Sequence, residues 1–533
     1  MTSANCVRSP RPESGASATR RDLRLGAVGA LLVCLGGFGM GDLPRNSPVV
    51  TDSGLAWVSY GHGKTLSAIV FWCGVAAMAY AWVRLGRRIA RVGDAADADD
   101  ESLSVSSLRR AVLLWAAPLV VTAPLYSRDV YAYLAQSAVL REGFDPYTDG
   151  PAHYPGPLLD SMAQVWTATT APYGPLFMGL GRAVVEVTGD HVILGVLAMR
   201  LVLLPGLFLS LWAIPRLATH FGASPQAGLW LALLNPMVLI HLVGGPHVEL
   251  LMMGVLVAGV VLTLRRRHVA GLAMLGVAAS IKITAGIAIP FVVWIWLSHL
   301  RSDREAAAGA ITGPAAPLGV HLPGDVRLPM GVRLRVFALV AAIPGAVFGV
   351  WTVLLGLGFG WLHGLGWADR IINWFTVPTA VAHLVTWAAA PFTALNLQEV
   401  LPVTRGVGAV CLALILVGLW WWGRRDERSA VVGMVWAMVA VLLLEPSTLP
   451  WYYTWALCLA AAFTLTDLVR TVVVGVSTFM LVVFQPDDSI WFYRPPYLIV
   501  ALSLSALAAV SLTRRDPLRL GRLTGPCRRA DAT

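Results

Sequence analysis

One stretch of the chain concentrates groups able to do chemistry: Pro124-Leu-Tyr-Ser-Arg-Asp-Val-Tyr-Ala-Tyr-Leu-Ala-Gln136. Arg128 and Asp129 close a hydrophobic run there. Val130, Tyr133, Leu134 and Ser137 then recur at helical spacing, opposite Tyr131, Gln136 and Arg141. The pattern predicts an amphipathic helix lying along the membrane surface. Two readings of the charged pair stand side by side. It is an ion pair capping the run, worth about 0–1 kcal/mol if exposed. Or it is a carboxylate kept ionised by Arg128 and able to act as a general base.

Other segments add to this set. Gly244-Gly-Pro-His-Val-Glu249 is either a polar turn or a recognition element for an acceptor or a phosphate. His247 and Glu249 are two apart and lack the i, i+4 spacing of a helical metal motif, so no metal site is expected. Lys282 is the only lysine besides Lys64, and it interrupts the apolar stretch Gly271 to Leu300. A lysine there snorkels to the interface, or it meets an anion such as a lipid phosphate. Asp145-Pro146-Tyr147, Ala171-Pro-Tyr173-Gly-Pro175 and Leu449-Pro-Trp451-Tyr452-Tyr453 are rigid aromatic turns, suited to sugars and equally to interface belts. Asp487 and Asp488 add carboxylates without forming a metal site.

The elements that must position these residues are membrane helices. Of 533 residues, 57% are hydrophobic and 13% charged, with mean hydropathy +0.68. A soluble domain of this size carries about 25% charged residues. Apolar runs of membrane-crossing length recur from residue 25 to residue 513, giving about fourteen candidate helices, several short enough to pack inside the bundle. The first run, 25–42, follows Arg20, Arg21 and Arg24 and reads as a retained anchor.

Threading the runs alternately puts every arginine cluster on one side, as the positive-inside rule asks of the cytoplasmic face. The clusters are Arg8 to Arg24, Arg84 to Arg110, Arg216, Arg265 to Arg267, Arg301 to Arg335, Arg424 to Arg428 and Arg514 to Arg529. The chain divides into a basic tail 1–24, a polytopic catalytic domain 25–513 and a basic tail 514–533. Within the domain lie a large outer loop, 126–191, and a cytoplasmic linker, 301–334. Two apolar stretches, 174–187 and 375–390, fit the threading only as non-crossing segments.

Several functions are excluded. The net charge of +10 sits between apolar runs, where it sets topology, so no nucleic acid is expected. Six cysteines without a C-x-x-C pair suggest neither a disulfide framework nor zinc. There is no Walker loop, Rossmann fingerprint, G-x-S-x-G elbow or H-E-x-x-H. No cofactor is implied. A donor delivered in the bilayer would explain the lack of a nucleotide-sugar domain. A lipid-linked-sugar transporter or flippase is the reading from another class, but its polar groups should lie near the midplane and on both faces.

At these residues a family resemblance enters. PLYSRDVYAYLAQ…REGFDPY (Pro124 to Tyr147), APYGPLF (Ala171 to Phe177), NPMVLIHLVGGPHVE (Asn235 to Glu249), Lys282 and Pro450-Trp451-Tyr452 resemble the actinobacterial polyprenol-phosphomannose-dependent α-1,6-mannosyltransferases. The similarity runs in order from about residue 28 to residue 510. It implies an all-α polytopic C-type glycosyltransferase bundle with a large first outer loop, in the plasma membrane, working on the extracytoplasmic face. The implied donor is polyprenyl-phosphate mannose, and the acceptor a lipid-anchored α-1,6-mannan of the lipomannan backbone. The β-linked carrier sugar becomes α-linked, so the anomeric centre inverts. Transfer of another sugar from its polyprenyl phosphate is the alternative on the same fold. By this resemblance Asp129 is the base, Arg128 and Lys282 pair with the donor phosphate, and Tyr131, Tyr173, His247, Glu249, Trp451 and Tyr452 line the sugar and acceptor pocket.

Overall fold

A computed structural model describes residues 15–45, 51–92, 103–312, 328–514 and 517. The expected tails fall mostly outside these residues, and the linker 301–334 is described at 301–312 and 328–334, where helices end at Thr312 and begin at Met330. The chain is an all-α polytopic membrane protein. Its helices of eight or more residues are α1 (Gly15–Met40), α2 (Gly61–Val92), α3 (Val105–Leu119), α4 (Asp129–Arg141), α5 (Pro175–Thr188), α6 (Val192–His220), α7 (Pro225–Ala232), α8 (Glu249–Leu264) and α9 (His268–Ile281). They continue with α10 (Ile289–Thr312), α11 (Met330–Leu354), α12 (Val377–Ala389), α13 (Leu397–Trp422), α14 (Glu427–Leu444), α15 (Tyr453–Ala460), α16 (Asp467–Val483) and α17 (Pro495–Thr513).

Among the described residues, eight helical segments are long and apolar enough to cross a bilayer. A ninth forms if α7 and the following Pro236–Gly244 segment, bent by 52°, make one span. The remaining candidates are shorter. α8, 16 residues long, is buried along nearly its whole length and belongs to the bundle interior. By contrast only 11% of the most apolar window of α13 is buried, which makes that helix a lipid-facing wall. The stretches 174–187 and 375–390 form α5 and α12, helices of 14 and 13 residues.

With lipid outside, helices gain little from apolar burial alone and associate through close van der Waals contact. α6 and α8 meet in this way at Gly206 and Gly254, where a Cβ on Gly254 would lie 2.1 Å from the Gly206 carbonyl oxygen. That contact aligns α8, whose first residue is Glu249.

α4 is not the surface helix its pattern suggests. Every residue from Val130 to Leu140 is buried. α5, α6 and the loop between Glu142 and Gly174 pack around it, so Tyr131 and Gln136 find protein where the pattern implied water.

Candidate active site

The site is built where α4 and α8 begin and α9 ends, beside the turn before α15. Asp129 opens α4, its amide donating to Ser127 Oγ at 3.0 Å, and a carboxylate suits a helix N-terminus. The chain reaches this point through Tyr126, which has φ of +66°. A left-handed tyrosine costs on the order of 1–3 kcal/mol and persists only when its surroundings hold it. Here the Tyr126 amide donates to the Pro486 carbonyl at 3.0 Å and its hydroxyl to the Leu481 carbonyl at 3.0 Å.

His247 is placed by a π-helical turn, Ile240–Gly244, a form frequent at functional sites. The turn presents the His241 carbonyl, which accepts from His247 Nδ1 at 2.7 Å. A carbonyl can only accept, so Nδ1 carries a proton and Nε2 faces Asp129. The Nε2–Oδ2 distance is 3.7 Å, too long for a hydrogen bond, and Nε2 is buried with no hydrogen-bond partner. The imidazole stacks on Trp451, centroids 3.7 Å apart. Arg200, buried on α6, fixes the same corner: it donates to the Val120, Thr122 and Gly244 carbonyls at 2.9, 2.6 and 2.7 Å.

Lys282 follows α9 and forms an ion pair with Glu249, whose side chain is fully buried. Its ammonium lies over the Tyr452 ring at 4.3 Å and the Trp455 ring at 5.4 Å. Gly174 lets the Ala171-to-Pro175 turn reach this corner, its amide donating to the Ile281 carbonyl at 3.0 Å. A Cβ there would meet the Ser280 carbonyl oxygen at 2.2 Å. Tyr173 is carried along and packs edge-on to Tyr133 at 5.1 Å.

The electrostatics follow from this enclosure. Burial pushes the Asp129 carboxyl above its ordinary range; His247, Ser127 and Lys282 oppose the shift, and Glu249 adds to it. Burial, with Asp129 adding to it, also holds the Tyr173 phenol well above its usual value. Asp129 is therefore a carboxylate with heightened proton affinity, 22% exposed, facing the buried and unpartnered Nε2 of His247. That set can take a proton from a hydroxyl, and Lys282 with its aromatic floor can hold an anion beside it. Among the described residues no three His, Cys, Asp or Glu side chains converge as a metal site.

The expected residues divide into two groups. Asp129, Tyr173, His247, Glu249, Lys282, Trp451 and Tyr452 gather at this corner. Arg128 and Tyr131 turn away from it. Arg128 pairs with Asp42 at 3.1 Å and donates to the Ser161 and Leu43 carbonyls, so it does not serve Asp129 as counter-ion. The Tyr131 hydroxyl donates to the Asp42 carbonyl at 2.6 Å. Both residues secure the 41–45 segment against α4. Burial pushes the Asp42 carboxyl up to about 7, with Arg128 opposing.

Asp42, Arg200 and Trp455 were not anticipated. Asp42 follows the first apolar run as Asp129 follows the third, and Arg200 interrupts an apolar run as Lys282 does. The signals that singled out Asp129 and Lys282 point equally to these two.

A family model described as Alpha-(1->6)-mannopyranosyltransferase, N-terminal domain, matches residues 23–298. The chain belongs to the alpha-(1->6)-mannopyranosyltransferase family. A second model, MptB C-terminal domain, matches residues 378–514. Alpha-(1->6)-mannopyranosyltransferase A of Mycobacterium tuberculosis is 40% identical over 498 residues, covering 93% of this chain and 90% of that protein. Alpha-(1->6)-mannopyranosyltransferase A of Corynebacterium glutamicum is 36% identical over 483 residues, 90% of this chain and 96% of its own length. Alpha-(1->6)-mannopyranosyltransferase B of the same organism is 30% identical over 459 residues, 81% of this chain and 71% of its own. No solved structure matches. The N-terminal match contains Asp129, Tyr173, His247, Glu249 and Lys282, so this mannopyranosyltransferase-family segment carries most of the corner.

Proposed function

We propose that the chain transfers mannose from polyprenyl-phosphate mannose to an α-1,6-mannan acceptor, inverting the anomeric centre, with Asp129 as general base. The observation that carries this reading is the Asp129 carboxylate facing the unpartnered Nε2 of His247, beside the Lys282 ammonium. The acceptor 6-hydroxyl gives its proton to Asp129 as its oxygen attacks the mannose C1. The C1–O bond to phosphate breaks on the opposite face, and the bonding pair leaves with the phosphate. Lys282 exchanges part of its contact with Glu249 for a phosphate oxygen. Trp451 and Tyr452 offer rings to the sugars. Arg128, already engaged with Asp42, supports the donor site through the 41–45 segment. The corner lies at the arginine-poor end of the bundle, which supports an extracytoplasmic site in the plasma membrane.

The test uses membranes containing the protein, radiolabelled polyprenyl-phosphate mannose and a synthetic α-1,6-dimannoside. Label should appear in an α-linked trimannoside. Extension of the dimannoside only from a different labelled polyprenyl-phosphate sugar would reassign the donor, and no extension at all would refute the reading.

A further inference from the structure

At the opposite end of the bundle the helices enclose a second concave site. α8 runs from Glu249, in the active site, to Leu264. At 1.5 Å per residue its far end lies about 24 Å away. There the start of α3, the ends of α6 and α8 and the start of α7 surround a cavity of about 490 Å³. Pro215, Leu217, Val261 and Leu264 give it an apolar floor, and Arg109, Arg216 and Arg265 stand around it.

The three arginines come from separate elements and gather about one ring. The Arg216 and Arg265 guanidinium carbons lie 4.8 and 5.9 Å from the Trp212 ring centroid. Arg109 Nε donates to the carbonyl of the neighbouring Leu211 at 3.1 Å. The charges acting on Arg216 are two like charges, Arg265 and Arg109. Nearby acids are paired with other cations: Asp303 with Arg266, and Glu427 with His299 and with His220, which also lines the cavity. Among the described residues none of the three arginines is paired with a carboxylate.

Three unneutralised guanidiniums converging on one hollow repel one another unless an anion sits between them. Planar guanidinium forks match the tetrahedral oxygens of phosphate, and each offers donors beyond those used on backbone carbonyls. The Arg424 and Arg425 side chains also stack on tryptophans, Trp421 and Trp422, but they are exposed and do not line this cavity. We infer that the cavity framed by Arg109, Arg216 and Arg265 binds a phosphate group, carried on an anionic lipid or free in solution. The inference is independent of the transfer reaction.

The test follows thermal unfolding of the purified full chain in neutral detergent during titration with dioleoylphosphatidate, dioleoylphosphatidylcholine or inorganic phosphate. A ligand that binds only the folded state raises the midpoint once its concentration passes its dissociation constant, and then in proportion to the logarithm of concentration. Phosphatidate should do so and phosphatidylcholine should not. An inorganic phosphate response of the same size would identify soluble phosphate as the source, and a response to phosphatidate alone would identify lipid. Arg216→Gln with Arg265→Gln should weaken the apparent affinity at least roughly tenfold, since each removes a charge-assisted contact. Arg424→Gln with Arg425→Gln should leave it unchanged. Arg265→Gln alone, at an exposed position, guards against a folding defect and should still weaken binding. No rise of the midpoint with either phosphate, or equal losses from both double variants, would overturn the site.

Discussion

The Asp129 carboxylate and the His247 imidazole face each other across 3.7 Å, and neither is bonded to the other. The gap leaves room for a substrate hydroxyl to bond one group or both. Burial raises the proton affinity of Asp129, and His247 lowers it. If the ionised carboxylate is the working form, kcat/KM should fall on acidification at a pH above the ordinary carboxylate value of about 4. His247→Asn removes the lowering influence, so the acid limb should move to higher pH. Profiles of kcat/KM against pH for both proteins test this, and coincident limbs would separate His247 from the titration of Asp129.

The Lys282–Glu249 pair makes a second prediction. Lys282→Arg keeps the charge and should retain part of donor use, whereas Lys282→Ala should raise the donor KM at least tenfold, on the order of one charge-assisted contact. Lys282→Ala also strands a buried Glu249, which destabilises by about 3–5 kcal/mol. Lys282→Ala combined with Glu249→Gln removes that stranded charge and should recover abundance without recovering donor affinity. Recovery of donor affinity in the double variant would make Lys282 a structural partner of Glu249 alone.

Much of this site was legible in the chain because its chemistry is written locally. Lys282 breaks an apolar run, His247 and Glu249 follow a Gly-Gly-Pro turn, and Asp129 ends a hydrophobic stretch. What escaped was decided by distant partners. The α4 pattern is amphipathic in isolation, and nothing within it foretells that other segments cover its polar side. Arg128 stands next to Asp129 in sequence, yet its carboxylate partner is Asp42, brought in from the end of α1. Helix length was legible: α8 has the composition of a span but only 16 residues, and a run that short packs inside the bundle.

Topology gives a third prediction. With the native cysteines replaced, Thr148→Cys, at an exposed position of the loop after α4, should react with an impermeant maleimide in intact cells. A cysteine at exposed Arg266 should react only after permeabilisation. Labelling in the reverse order would invert the bundle and put the candidate site on the cytoplasmic face.

Asp129→Asn bears most directly on mechanism. The substitution keeps the side chain's volume and its ability to accept from a hydroxyl, and it removes the charge and the basicity. If Asp129 takes the acceptor proton, turnover at saturating donor should fall by roughly 10²–10⁴-fold, the usual contribution of general-base catalysis. Donor KM should change little, because the cation beside the site is Lys282, held by Glu249. Folding must be checked by abundance and unfolding temperature, although replacing a carboxylate that burial already disfavours should not destabilise the protein. A raised donor KM with intact turnover would make Asp129 a positioning residue. Near-native turnover would remove it from the chemistry, and the base would then be sought at His247. Its Nε2 is buried at this corner without a hydrogen-bond partner, whereas Glu249 is ion-paired to Lys282.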